Sequence, residues 1–156
     1  MKKWPLLFIT IILATLQLTW PVALSFFNCK PDLLLTLAVA LVFYLDFKVA
    51  LIFAVFCGLL KDVFLPSPLA LNTILFPFWS YLIYRLSSQI STDNDYVRLA
   101  IVLIVSLLNN IIIGLQSINS GNIIPPVIFL RNLIIPPVYT AGLSPLIFKL
   151  TKRIAA

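Results

Sequence analysis

Long apolar runs, separated by short turns that carry charges or prolines, make up most of this chain. The first run is uncharged between Lys3 and Lys30. A helix over residues 5–27 would be about 34 Å long at a rise of 1.5 Å per residue, which is enough to cross a hydrocarbon core of ~30 Å. Because backbone polar groups in lipid must be hydrogen-bonded within the protein, such runs are predicted to be transmembrane α-helices.

Residues 31–65 permit two interpretations, because Asp46 and Lys48 lie in the middle of this run. The run forms either two short helices with a tight turn at residues 46–48 or one broken helix. Cytoplasmic segments of membrane proteins are enriched in lysine and arginine, and one broken helix would place most of these residues outside. Two helices give six spans with both termini in the cytoplasm. Eight of the eleven basic residues then lie inside: Lys2, Lys3, Lys48, Arg85, Arg98, Lys149, Lys152 and Arg153.

The pattern therefore predicts an all-α integral membrane protein with one polytopic domain over residues 1–156. Its spans are expected near residues 5–27, 31–45, 48–65, 68–87, 96–116 and 125–150. The first run could instead be a cleaved signal peptide, but it exceeds the usual length of about 7 to 15 apolar residues. Prolines should end the third span, kink the fourth and bend or split the sixth, at Pro66, Pro68, Pro77, Pro136, Pro137 and Pro145.

Composition supports a membrane protein and excludes several other classes. Of the 156 residues, 62% are hydrophobic and 10% are charged, whereas about a quarter are charged in soluble domains. The basic residues are scattered near segment ends and form no patch, so they indicate topology in the lipid bilayer and no nucleic-acid partner. Cys29 and Cys57 form no CxxC pair and the chain has no histidine. We expect no metal site or cofactor, and we interpret both cysteines as small apolar residues of the core.

The sequence also lacks the groups that most enzymes use. Asp32 and Asp62 are the only two carboxylates expected on the outer side of the membrane. The residues typical of membrane aspartyl proteases do not surround them. Without histidine or glutamate, few general bases are present. We therefore predict no catalytic residues and a non-enzymatic role.

Small residues recur every four positions along the third predicted span, at Ala50, Ala54 and Gly58. Residues at this spacing share one helix face, and in lipid a face of small residues lets two helix backbones approach closely. The face either packs against another span of this chain or docks a partner helix. Under the second interpretation, a bulky residue at Gly58 should weaken partner recovery.

Four polar residues are expected to fix the outer ends of the spans. Asp32 follows a proline at the start of span two, where a carboxylate favours helix initiation. Asp62 is predicted to pair with Arg131, because neighbouring Lys61 is expected to point elsewhere on the helix. Asn72 is expected to hydrogen-bond to the turn before span four or to Asp62 itself.

A second stripe of small and polar residues marks the fifth span, at Ser106, Asn110 and Gly114, with Asn109 beside it. Amides in the middle of a bilayer usually hydrogen-bond to a neighbouring helix. We favour such a structural role for the two asparagines over contact with a substrate.

Three ordered segments resemble the rod shape-determining protein MreD family. They are Lys30-Pro31-Asp32-Leu33-Leu34-Leu35, Gly58-Leu59-Leu60-Lys61-Asp62 and Pro68-Leu69-Ala70-Leu71-Asn72. The similarity extends over the whole chain, although Ala70 stands where the family is expected to have glycine. It implies a non-catalytic, multi-pass subunit of the bacterial inner membrane that helps regulate peptidoglycan synthesis and cell shape. The implied partners are the bitopic protein MreC and, through it, MreB and a RodA-type polymerase with its transpeptidase.

The same resemblance supplies the alternative function. The family is similar in architecture to the six-helix substrate-binding subunits of energy-coupling-factor vitamin transporters. Such a subunit would need a pocket with convergent polar groups, which Asn109, Asn110 and Gln116 could supply. The four-spaced alanines expected in the first span of these subunits are missing, since that span contains only Ala14 and Ala23.

Overall fold

The computed structural model describes residues 3–25, 27–64 and 70–155. These ranges contain a short 3-10 turn at Val22–Leu24, no strand, and six α-helices: α1 Lys3–Leu18, α2 Leu33–Tyr44, α3 Phe47–Phe64, α4 Leu71–Ser87, α5 Asp95–Asn119 and α6 Pro126–Ala155. The prediction of an all-α protein with six helices is confirmed. The positions of Pro66 and Pro68 lie outside the described residues.

The described part of this run, residues 31–64, contains two helices, α2 and α3, as predicted. Leu45 adopts an extended conformation with φ −121° and ψ 161°. The carbonyl of Asp46 then accepts a hydrogen bond of 2.9 Å from the Ala50 N–H, which starts the next helix. The interpretation as one broken helix is therefore wrong.

The first helix is shorter than predicted, ending at Leu18 rather than near residue 27. Pro21 explains the early end, because a proline disfavours helical geometry in the residue before it and lacks an N–H to continue the helix. The chain then reaches α2 through the 3-10 turn and through Phe27 and Asn28, which have positive φ angles of 51° and 61°.

Helix α2 lies at the centre of the bundle. Its residues 33–42 are all buried, and it contacts each of the other five helices. Those five form a ring in the order α1, α3, α4, α5, α6, with the most extensive packing between α3 and α4 and between α5 and α6. A helix that is apolar on every side is the kind expected at such a central position.

The central helix is too short to fill the ring from end to end. Its 12 residues span about 18 Å and the 25 residues of α5 about 37 Å. We use "pocket end" for the end of the bundle where α1, α3 and α5 finish and where α2, α4 and α6 begin. The opposite end is the "termini end", because α1 begins and α6 finishes there.

Two helices, α5 and α6, are long and apolar enough by themselves to cross a membrane, and α1 and α2 are apolar but shorter. The prolines of α4 and α6 do not split these helices. Proline leaves the carbonyl four residues earlier without its usual donor. The Asn132 carbonyl, freed by Pro136, accepts a hydrogen bond of 3.2 Å from Asn110 Nδ2, and Ser144 Oγ donates to the Ala141 carbonyl, freed by Pro145, at 2.7 Å.

Candidate functional site

A cavity of about 410 Å³ lies at the pocket end of the bundle. It is lined by the first residues of α2 together with residues from α1, α3, α5 and α6. Ala14, Leu18, Leu34, Phe64, Ile113 and Phe129 are among its apolar wall residues, and its polar groups come from Gln17, Lys30, Asp32, Lys61, Asn110, Ser117 and Asn132. Residues of α1, α3, α5 and α6 surround this space beside the α2 N-terminus.

Two side chains cap α2 at the base of the cavity. Asp32 is the N-cap residue, and its Oδ1 accepts a hydrogen bond of 3.2 Å from the Leu35 N–H. Gln17 of α1 accepts from the Leu34 N–H at 3.1 Å, and its Nε2 lies 3.5 Å from Asp32 Oδ1. The predicted role of Asp32 in helix initiation is therefore confirmed, with a contribution from α1 that the sequence did not reveal.

Asp32 also pairs with Lys61, through Oδ2 and Nζ. The two side chains are only 10% exposed, and the ammonium of Lys61 lies 5.3 Å from the ring centroid of Phe76. The expectation that Lys61 points away from Asp62 is confirmed, but its partner Asp32 was not predicted. Lys61 comes three residues after Gly58 and seven after Ala54, a spacing that places all three on one helix face.

The carboxylate of Asp62 caps a different helix. It accepts hydrogen bonds from the N–H groups of Asn72 and Thr73 at 3.3 and 2.7 Å, and from Asn72 Nδ2 and Thr73 Oγ1 at 2.8 and 2.6 Å. These N–H groups lie in the first turn of α4, whose own N-cap residue, Ala70, has no capping side chain. The expected bond between Asn72 and Asp62 is confirmed.

The predicted pair between Asp62 and Arg131 is wrong. Among the described residues, the carboxylate of Asp62 makes its hydrogen bonds within the α3–α4 pair, and the ion pair near this end joins Asp32 to Lys61. The Nε of Arg131 is buried and has no hydrogen-bond partner in the described part of the chain. Four donors from α4 satisfy the Asp62 carboxylate, so it needs no bond from the Arg131 guanidinium.

The small-residue face of α3 lies inside the bundle. Ala50 and Ala54 have no exposed surface. A Cβ atom added at Gly58 would lie 2.7 Å from the backbone carbon of Asn72 and 2.8 Å from Thr73 Cα. The geometry thus corresponds to internal packing, and the chain's own α4 covers the position of Gly58 that a partner helix would need.

The asparagines of α5 bind to neighbouring helices, as the structural interpretation predicted. Asn109 accepts a hydrogen bond of 3.2 Å from Trp79 Nε1 of α4, in a buried position, and Asn110 binds the α6 carbonyl described above. Of the three polar residues expected to line a pocket, Asn110 lines the cavity. Cys57 is fully buried in the hydrophobic core, in agreement with its predicted role.

Comparison with protein families identifies a matching family. The model described as rod shape-determining protein MreD matches residues 2–154 of the chain. No curated protein and no solved structure matches.

Proposed function

The chain belongs to the rod shape-determining protein MreD family, and from this premise we propose that it is a non-catalytic inner-membrane subunit of the bacterial elongation complex. In this role it binds an MreC-like bitopic protein and helps to regulate peptidoglycan synthesis and cell shape. Its contacts with MreB and with a RodA-type polymerase and its transpeptidase are indirect. The observation that carries the proposal is the family match over nearly the whole chain.

The architecture supports a scaffolding role. The polar side chains described at the helix ends cap helices or pair with one another, as for Asp32, Lys61 and Asp62. Groups used in this way hold the bundle together. A rigid bundle that presents fixed helix faces to the lipid is suited to binding the transmembrane helix of a partner.

Affinity purification of the tagged full-length protein from its native membrane tests the proposal. In mild detergent, an MreC-like bitopic protein and cell-wall synthases should be recovered and identified by mass spectrometry. An unrelated tagged multi-pass protein serves as the control. Recovery of a pair of ATPases with a coupling membrane protein would instead identify a vitamin-transporter subunit, the alternative that the polar cavity favours.

A photo-crosslinking scan would locate the partner on the surface. Phe8, Ile74 and Leu146 present side chains that are 67 to 68% exposed on α1, α4 and α6. A crosslinking amino acid at each position tests one face, and the fully buried Ile83 of α4 provides a matched position that should give no product. Ile52 of α3 and Ile104 of α5 extend the scan to the other outer helices. Crosslinks from one face only are expected; no crosslink to an MreC-like protein from any of the five helices would contradict direct binding.

A further inference from the structure

We propose that the cavity at the pocket end binds the phosphate headgroup of an anionic membrane lipid. The proposal goes beyond the scaffolding function, because it assigns a ligand to a cavity that this function does not explain. It rests on the volume of the cavity, its charge and the division between its polar and apolar walls.

The size of the cavity fits a headgroup. A volume of about 410 Å³ lies within the range of roughly 300 to 1,000 Å³ found for small-molecule sites. The amide and ammonium groups in the lining suit a ligand that has a polar part.

The charge of the lining favours an anion. Lys30, Lys61 and Asp32 are the charged residues that line the cavity. The Asp32 carboxylate is already paired with Lys61 and accepts a hydrogen bond from the Leu35 N–H. It therefore attracts a cationic ligand only weakly. Lys30 is exposed beside the cavity, and the ammonium of Lys61 has three donors, of which one is bound to Asp32.

The neutral part of the lining favours an amphiphile. Asn132 and Asn110 provide hydrogen-bonding groups to headgroup oxygens, while Phe64, Ile113 and Phe129 present apolar surface beside them. The cavity lies where the helices end, which is the headgroup level for a bundle that crosses the membrane. A soluble phosphate ester shares the headgroup chemistry but has no apolar part to place against these walls.

Native mass spectrometry of the purified full-length protein tests the site with three probes. These are phosphatidylglycerol, phosphatidylcholine with the same acyl chains, and glycerol 3-phosphate. We expect retention of phosphatidylglycerol above phosphatidylcholine. Lys30→Gln should weaken phosphatidylglycerol binding about fivefold, the effect of one basic residue near an anionic membrane surface. Lys149→Gln, which changes an exposed lysine at the termini end, should leave binding unchanged.

A second pair of variants separates the cavity from lipid that merely surrounds the bundle. Ser117 lines the cavity, and Ser120, three residues later, is exposed and outside the lining. Ser117→Phe should lower phosphatidylglycerol binding at least fivefold, and Ser120→Phe should not. Equal binding of the two lipids, or binding that neither Lys30→Gln nor Ser117→Phe weakens, would overturn the proposal. Binding of glycerol 3-phosphate as tight as that of phosphatidylglycerol would overturn the assignment to a lipid.

Discussion

The contact between Asp32 and Lys61 joins two segments that lie 29 residues apart in the chain. Removing two charges from water costs several kcal/mol per ion, and their attraction offsets this cost only when further hydrogen bonds satisfy the carboxylate. Asp32 has those bonds, from the Leu35 N–H and from Gln17. The pair therefore fixes the start of α2 against the end of α3, at the base of the cavity.

Replacing Lys61 with methionine should destabilise the protein strongly. Loss of one partner leaves Asp32 buried without its cation, which costs about 3 to 5 kcal/mol in comparable buried pairs. The free energy of unfolding in mixed detergent micelles, followed by circular dichroism, measures the effect. Lys149→Met is the matched control and should change stability by less than about 0.5 kcal/mol, because that lysine is exposed.

A double variant checks that the loss comes from the unpaired charge. Asp32→Asn keeps a side-chain oxygen that can cap the helix, and in combination with Lys61→Met it leaves no buried charge at this position. The double variant should be more stable than Lys61→Met alone. If it is less stable, the ion pair is not the source of the loss.

Sequence reasoning identified Asp32, Asp62 and Asn72 as residues at helix ends but chose the wrong charge partner. Helix capping involves residues close together in the chain, so a carboxylate next to a predicted helix start was enough to predict the cap. Ion pairing depends on how each helix is rotated about its axis. The spacing from Ala54 to Gly58 and Lys61 contained that information, since it places Lys61 on the same face as the buried small residues.

At the scale of elements, the close contact of α3 with α4 organises one side of the bundle. The backbones approach at Gly58, and the same pair of helices is linked by the hydrogen bonds of Asp62 to the first turn of α4. The small residues of α3 allow this approach. The Asp62 carboxylate accepts hydrogen bonds from the α4 N-terminus, which the alanine side chain of the N-cap residue Ala70 cannot do. The spacing of small residues predicted such a contact, but one sequence could not show whether the other helix belonged to this chain.

Replacing Gly58 with alanine should weaken this contact. The new Cβ would lie under 3 Å from backbone atoms of Asn72 and Thr73, which cannot move without shifting α4. Overpacking of this kind costs about 1 to 3 kcal/mol. Gly142→Ala on α6 is the control, because a Cβ there meets nothing within 4 Å. The free energy of unfolding should fall for Gly58→Ala alone; an equal effect of both substitutions would show that helix propensity, not the contact, is responsible.

At the scale of the whole molecule, the number of helices and the approximate bounds of α2 to α5 followed from the sequence, whereas the length of α1 did not. Hydropathy and the distribution of basic residues separated α2 from α3. Helix α1 ends early because of Pro21. The uncharged apolar run continues past this proline, so hydropathy alone predicted a longer helix. The cavity is lined by residues from α1, α2, α3, α5 and α6, and tertiary arrangement of this kind leaves no periodic pattern in the sequence.

The distribution of basic residues predicts an orientation of the bundle in the membrane. The described residues place Lys30, Lys61 and Arg131 at the pocket end and Lys48, Arg85, Arg98, Lys149, Lys152 and Arg153 at the termini end. Because basic residues are enriched on the cytoplasmic side, we expect the termini end to face the cytoplasm and the pocket end to face outward.

Cysteine labelling tests this orientation with a matched pair of serines. In a Cys29→Ser, Cys57→Ala background, Ser91→Cys lies in the connection between α4 and α5 at the termini end, and Ser120→Cys follows α5 at the pocket end; both positions are exposed. A membrane-impermeant maleimide should label Ser120→Cys in cells or spheroplasts with an intact inner membrane and Ser91→Cys only after permeabilisation. The opposite result would place the cavity on the cytoplasmic side, where the headgroups it meets belong to the inner leaflet.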